Sequence, residues 1–414
     1  MPETRAARSL WVLIASNIAG GIGVASGISA GALLTQQIGG TQWAGVGQAA
    51  SVLGAGLAAV PLAAVAASSG RRRALTIGYA ISTLGGVVVL GAAALGSLAL
   101  LLLGLTLFGS AQAANLQTRY AASDTSTPEK RARTISLVVW ATTIGSVMGP
   151  NLMSAGAAAG GWIGLPALAG PYLFAVAAFT VAGIVVGLLL PGGLPNADQG
   201  PGPGVQRRSV TAPQALVWAS RHPVARFAVL LIAIAHGVMV GLMSMTSVHL
   251  SDHHHGLSVI GMVISLHILG MYAFSPVFGW FADRFGAMTL SLAGLLMLAL
   301  SVVLGWFAGW NADLPVTVAA LFLLGLGWSA ALIASSALLS NIDSGEVRVP
   351  LQGATDAVMS YSGAAAAIAG GPVLAAVGYS GLSLASGALL IPALIVGWLA
   401  HRAPDPGFAE QAQR

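Results

Sequence analysis

Thirty-six residues from His236 to Met271, HGVMVGLMSMTSVHLSDHHHGLSVIGMVISLHILGM, hold six of the eight histidines and five of the eleven methionines. Thioether sulfur and neutral imidazole are soft to borderline ligands suited to Cu(I), and neither adds charge to a site. The spacing sorts them. His236 stands three residues before Met239, Met239 and Met243 are four apart, and so are His267 and Met271. Residues three or four apart share one helix face. Two helices would each project a ligand-like pair, and an ion fits between them where the faces meet. The intervening HLSDHHHG adds His249, Asp252, His253, His254 and His255, either a collecting point for metal or a solvated loop. Bland alternatives stay open. Methionine is a flexible packing residue, and a buried histidine can be satisfied by Ser244, Thr246, Ser265 or a carbonyl. Zn(II) would normally take Cys or carboxylate. The chain has no cysteine, which removes thiolate and disulfide chemistry.

The elements that must carry these pairs are membrane spans. Of 414 residues, 56% are hydrophobic and 7% charged, and the mean hydropathy is +0.84. A crossing helix needs about 20 apolar residues. Twelve such stretches are predicted, at 10–35, 43–67, 74–95, 97–118, 134–157, 170–190, 225–250, 257–281, 286–309, 315–339, 351–377 and 380–401. This is an all-α integral membrane protein of two six-helix bundles. Residues 1–190 form the first, 191–222 a Pro/Gly-rich linker, and 223–414 the second with a short tail. TAPQALVWAS in the linker is expected to form a short helix on the membrane surface. With the N-terminus inside, all 17 Lys and Arg fall in cytoplasmic segments, Arg119 and Arg348 among them. The positive-inside rule then predicts a multi-pass cell-membrane protein with both termini cytoplasmic.

The halves repeat one another. SSGRRRAL after span 2 matches FADRFGAMTL after span 8, with Gly70 and Gly286 offset by 216. EKRARTIS before span 5 matches EVRVPLQG before span 11, with Glu129 and Glu346 offset by 217. Two matches at nearly one offset indicate duplication of a six-helix unit. GWFADRFG, with Gly279, Asp283, Arg284 and Gly286, resembles the G-x-L-A-D-R-x-G-R signature of the major facilitator superfamily. The first copy keeps Gly70 and Arg71 to Arg73 but lacks the Asp. GSVMGP, Gly145 to Pro150, resembles the G-x-x-x-G-P motif of that superfamily's antiporters, although small residues four apart also serve helix packing. The resemblance implies an alternating-access carrier with a midplane site, gated by Arg71, Gly279, Asp283, Arg284 and Gly286. The paired M-x-x-x-M and H-x-x-x-M further resemble the copper-importing branch, which supplies copper for cytochrome oxidase assembly. By that resemblance Met239, Met243, His267 and Met271 are metal ligands, with His236 beside them in the substrate site.

Ionisable residues inside spans are functional candidates. They are His236, His267 and Asp356. Asp356 is expected either to carry a coupling proton or to pair with Arg348 at the cytoplasmic edge. Spans 1 and 4 carry no Asp or Glu, where many proton-coupled multidrug exporters of the superfamily this chain resembles place a carboxylate. That absence counts against such an exporter, although Asn17, Gln112 and Asn115 are placed to line a polar path. Two functions follow: a carrier of copper or a similar soft metal, or a proton-coupled exporter of organic compounds. No nucleophile–base pair or phosphate-binding loop points to an enzyme, and no cofactor is expected. The partners are a small solute or metal ion and the lipid bilayer. Nucleic acid is not among them, and the protein is expected to be a monomer.

Overall fold

The computed structural model describes residues 2–40, 43–192, 210–255, 257–311, 313–342 and 345–402. They are helical throughout, with no strand among them. In chain order the helices are α1 (Pro2–Gly39), α2 (Ala44–Ser69), α3 (Arg71–Leu95), α4 (Leu98–Phe108), α5 (Ser110–Ser123), α6 (Arg131–Asn151), α7 (Met153–Trp162), α8 (Pro171–Leu189), α9 (Ala212–Arg221), α10 (Pro223–Asp252), α11 (Leu257–Tyr272), α12 (Ser275–Phe285), α13 (Ala287–Asn311), α14 (Leu314–Ser340), α15 (Gly345–Ala388) and α16 (Leu390–Arg402). Ten stretches are long and apolar enough to cross a membrane. One of them, Glu346–Ala400, is 55 residues long and breaks at Gly378, whose φ of +67° is non-helical. Counting its two arms separately and adding the α6–α7 pair gives the twelve crossings expected.

Turn chemistry sets the boundaries. Gly96 caps α3 in the left-handed region with φ +62°, and Ser97 accepts the Leu100 N–H at 3.4 Å, so the third span reverses into the fourth within two residues. Gly70 and Gly286, the repeat's matched glycines, have φ +88° and +92°. Only glycine adopts that backbone without strain.

Packing divides the helices between two apolar cores. One draws on residues from Val12 to Leu190. The other runs from Phe227 to Ala400 and also takes in Ala132, Ile135 and Val139 of α6. Helix α6 therefore serves both. It also lies tightly on α1, because a Cβ at Gly145 would sit 2.6 Å from the Gly21 carbonyl carbon and one at Gly149 would meet Ala25. The G-x-x-x-G spacing in GSVMGP is thus explained at least by helix contact. The linker helix forms as expected. A Thr211/Gln214 capping box starts α9, and Ala215 and Ala219 bury against Ala225, Val229, Leu339 and Leu351.

Candidate functional site

The hydrogen bonds that join the two halves cluster at one end of the bundle, where α3, α6 and α15 begin and α5, α12 and α14 finish. Two seams meet there. In the first, the Asp283 carboxylate accepts the backbone N–H of Ala132 at 3.0 Å and of Arg133 at 2.9 Å. It caps the N-terminus of α6, where the helix dipole favours negative charge. The Ser275 hydroxyl donates to the Ser136 carbonyl at 3.1 Å, and any Cβ on Gly279 would fall on Ser136. In the second seam, Arg71 donates from Nε to Asp124 at 3.0 Å and from Nη2 to Gln352 Oε1 at 2.6 Å. A Cβ on Gly353 would fall on Ala63. Thus Asp283 and Arg71 each take part in hydrogen bonds between the halves, whereas Arg284 is exposed at the end of α12.

Between the seams, α5 meets α14 along an axis that relates the halves. Arg119 Nε donates to Ser336 Oγ at 2.9 Å, and Ser123 bonds Ser340 at 3.1 Å, each across 217 residues. That separation is the repeat offset, so equivalent residues touch. Flanking them, Arg131 donates to Asn341 Oδ1 at 2.7 Å, while Arg348 lies 3.6 Å from Asp124. These two pairs exchange under the same offset.

One interaction departs from the symmetry. Arg119 Nη2 lies 2.5 Å from Asp356 Oδ1, with the side chains only 2% and 1% exposed. The guanidinium also donates to the Leu116 carbonyl at 2.8 Å and the Tyr120 hydroxyl at 3.2 Å. It lies 4.4 Å from the Tyr120 ring centroid. Asp356 Oδ2 has no partner among the described residues. The expected pairing of Asp356 with an arginine is present, but its partner is Arg119 and not Arg348, which turns to Asp124. Arg119 was counted among the loop cations; it is a buried residue of α5.

Away from this closed end the halves differ in chemistry. In the first, Asn17 is consumed: its amide donates to the Val138 carbonyl at 2.7 Å and Thr142 at 2.9 Å, and its oxygen accepts from Thr118 at 3.3 Å. Asn115, half-buried, accepts the Tyr79 hydroxyl at 2.8 Å. In the second, Trp328 Nε1 donates to His236 Nδ1 at 3.0 Å, and Trp328 meets Tyr272 edge-on at 5.8 Å. His236 of α10, Trp328 of α14 and Tyr272 of α11 form one aromatic chain, about two turns of α14 from Ser336.

The methionines selected from the sequence share the second core, and the histidines near them bond other groups. Met239 and Met271 are buried in the second core, and Met243 packs on it half-buried. His267 is buried toward α14, where its Nδ1 bonds the Leu321 carbonyl at 2.7 Å, leaving Nε2 without a partner among the described residues. Of the outer cluster, His249 stacks on Tyr379 at 4.5 Å and His253 Nδ1 bonds the His249 carbonyl at 2.8 Å. The Asp252 side chain lies outside the described residues. No group of three His, Cys, Asp or Glu able to hold a metal occurs among the described residues.

A helical bundle with two cores, duplicated halves and cross-links at one end has counterparts of the same fold among known structures. The fold superimposes on the human organic anion transporter MFSD10 (TETRAN), with a TM-score of 0.77 and 16% identity over 95% of this chain and 99% of that one. It also matches a bacterial homologue of the iron transporter ferroportin in its outward-facing state, with TM-score 0.75, 15% identity and coverage of 95% and 99%. FucP in the outward conformation gives 0.75, 14% identity and the same coverage. The Major Facilitator Superfamily profile matches residues 227–414. The uncharacterized MFS-type transporters YddS and YdeG of Bacillus subtilis (strain 168) are 36% and 35% identical over 94% of this chain, covering 90% and 91% of their own lengths. The chain belongs to the Major Facilitator Superfamily and is a multi-pass membrane transporter. The copper-importing branch draws no support from these relatives.

Proposed function

We propose that this protein is a proton-coupled exporter of organic compounds, working by alternating access between units 1–190 and 223–414 joined by the linker 191–222. The observation that carries the reading is the Arg119–Asp356 ion pair. It joins the halves and it is buried, so opening that end would have to break it. A carboxylate parted from a guanidinium takes up a proton and becomes neutral, while the guanidinium, still charged, is left to the water that enters as the end opens. Protonating Asp356 from the open side unlocks the closed end; deprotonation at the other side restores the lock. Among the described residues the Lys and Arg lie toward the closed end, so that end is cytoplasmic in a cell membrane and the conformation is outward-facing. The solute binds between the amide side, Asn115 with Gln112, and the aromatic side, His236, Trp328 and Tyr272. This arrangement suits a flat organic molecule with a polar edge.

The test uses everted vesicles with an acidified lumen and a pH-sensitive dye. A panel of aromatic compounds is added, and proton release is followed for wild type and Asp356→Asn. Compound-dependent release in wild type and none in Asp356→Asn supports the proposal; equal release in both, or none in either, overturns it.

A second reading rests on His267. Its Nδ1–H is held by a carbonyl, which leaves an unpaired Nε2 lone pair, the orientation that second-shell partners give a metal-ligating imidazole. In this reading Met239, Met243 and Met271 complete a Cu(I) site. Cellular copper falling in His267→Ala, Met239→Ala, Met243→Ala and Met271→Ala alike would favour it over organic export; unchanged copper in all four excludes it.

A further inference from the structure

The second seam holds more hydrogen-bond donors than it uses. Arg71 spends Nε on Asp124 and Nη2 on Gln352, yet its Nη1 has no partner among the described residues. Gln352 accepts through Oε1 while its Nε2 donates to nothing described, and the same holds for Nε of Arg348. Arg71 and Gln352 are 3% and 1% exposed. The three groups form one cluster: Arg71 and Arg348 approach the two oxygens of the same Asp124 carboxylate, and Gln352 is one helical turn beyond Arg348 on α15. Two guanidinium groups thus face one carboxylate, a local excess of one positive charge. Arg71 also opens α3, a 25-residue helix whose N-cap, Gly70, supplies no side-chain acceptor. The first N–H groups of a helix attract anions.

We propose that Arg71, Arg348 and Gln352 form an oxyanion site at the closed end, taking a phosphate group held as free phosphate or as the headgroup of an anionic lipid. Fork-shaped guanidinium donors beside an amide N–H match a tetrahedral oxyanion. Asp124 repels the guest, which sits on the donors' far side from that carboxylate. The site is independent of the transported solute. Arg71 belongs to the first half, Arg348 and Gln352 to the second, so the anion binds across the seam and binds only the closed form. A ligand selective for one conformation shifts the population toward it. Phosphate, free or lipid-borne, therefore holds the transporter outward-facing.

The chain has no cysteine, so Ser123→Cys, buried at the closed end, reports opening by its rate of thiol labelling. Full-length protein is labelled in detergent with inorganic phosphate or with chloride at equal ionic strength, and separately in nanodiscs of phosphatidylglycerol or phosphatidylcholine. Phosphate, phosphatidylglycerol or both should slow labelling about fivefold; slowing by phosphate assigns a soluble anion, and slowing by phosphatidylglycerol alone assigns the headgroup. Gln352→Leu and Arg348→Gln should each weaken the effect about tenfold in anion concentration. Should either fail to fold, Arg348→Lys, which keeps the charge and loses the fork, should show the same loss. Equal labelling in phosphate and chloride and in both lipids, or slowing that survives in the folded variants, overturns the site.

Discussion

The two seams that close the bundle occupy equivalent places and are built from opposite charges. Where α12 meets α6, a carboxylate, Asp283, caps a helix N-terminus through two N–H groups. Where the start of α3 meets α15, a guanidinium, Arg71, reaches a carboxylate and an amide. Position 67, equivalent to Asp283 in the first half, is an alanine, so the first seam's device has no copy in the second. The crossing points, by contrast, are shared: Gly279 lies over Ser136, and Gly353 lies over Ala63. Under the repeat offset these are the same contact with the glycine moved to the other partner. Duplication conserves the demand for close backbone approach and leaves the polar lock free to change.

Attacks on this comparison range from large effects to small. The largest falls on the axis. Arg119→Ala leaves Asp356 buried without its partner, a cost of about 3–5 kcal/mol, and transport should vanish. The double variant Arg119→Met/Asp356→Leu should match wild-type thermal stability or exceed it by about 1–4 kcal/mol, still without proton coupling. Recovery of coupled transport in the double variant would show that the pair is only structural. Next come the crossing points. Gly353→Leu and Gly279→Leu should each hold the closed end apart, at a packing cost of about 1–3 kcal/mol, read as faster labelling of Ser123→Cys. If only one of the two speeds labelling, the seams do not close together. Third, Asp283→Ala removes both cap hydrogen bonds and should cost about 1–2 kcal/mol, with Asp283→Asn keeping part of it; thermal unfolding in matched detergent measures both. The smallest change is Asn341→Asp, which gives Arg131 the carboxylate that Arg348 already has. Exposed pairs contribute about 0.2–1 kcal/mol, so labelling should slow less than about fivefold, and an increase would contradict the reciprocal geometry.

Much of this molecule was legible in the chain. Span positions followed from apolar run length, and the Gly70 and Gly286 turns followed from repeat spacing. The linker helix at TAPQALVWAS was also expected, although its capping box shows only in the structure. What remained hidden depends on residues far apart. Arg119 looked like a loop cation because LQTRYAAS is polar and the apolar run ends before it; its partner Asp356 is 237 residues away. The one signal was the offset itself, since Arg119 maps onto Ser336 inside an unbroken span. His236 was found for its methionine neighbours, yet it is bonded to Trp328, 92 residues on. Helical spacing shows which residues share a face but not which neighbour that face meets. His267 turns to α14 for that reason.

Residues on the axis between α5 and α14 meet their own counterparts, as Arg119 does Ser336. An arginine at both places would set two like charges head to head in a dry interior. The cation at 119 is therefore affordable in a single copy only, and a protein assembled from two identical halves could not have carried it. The Arg119–Asp356 pair had to wait until the halves had diverged.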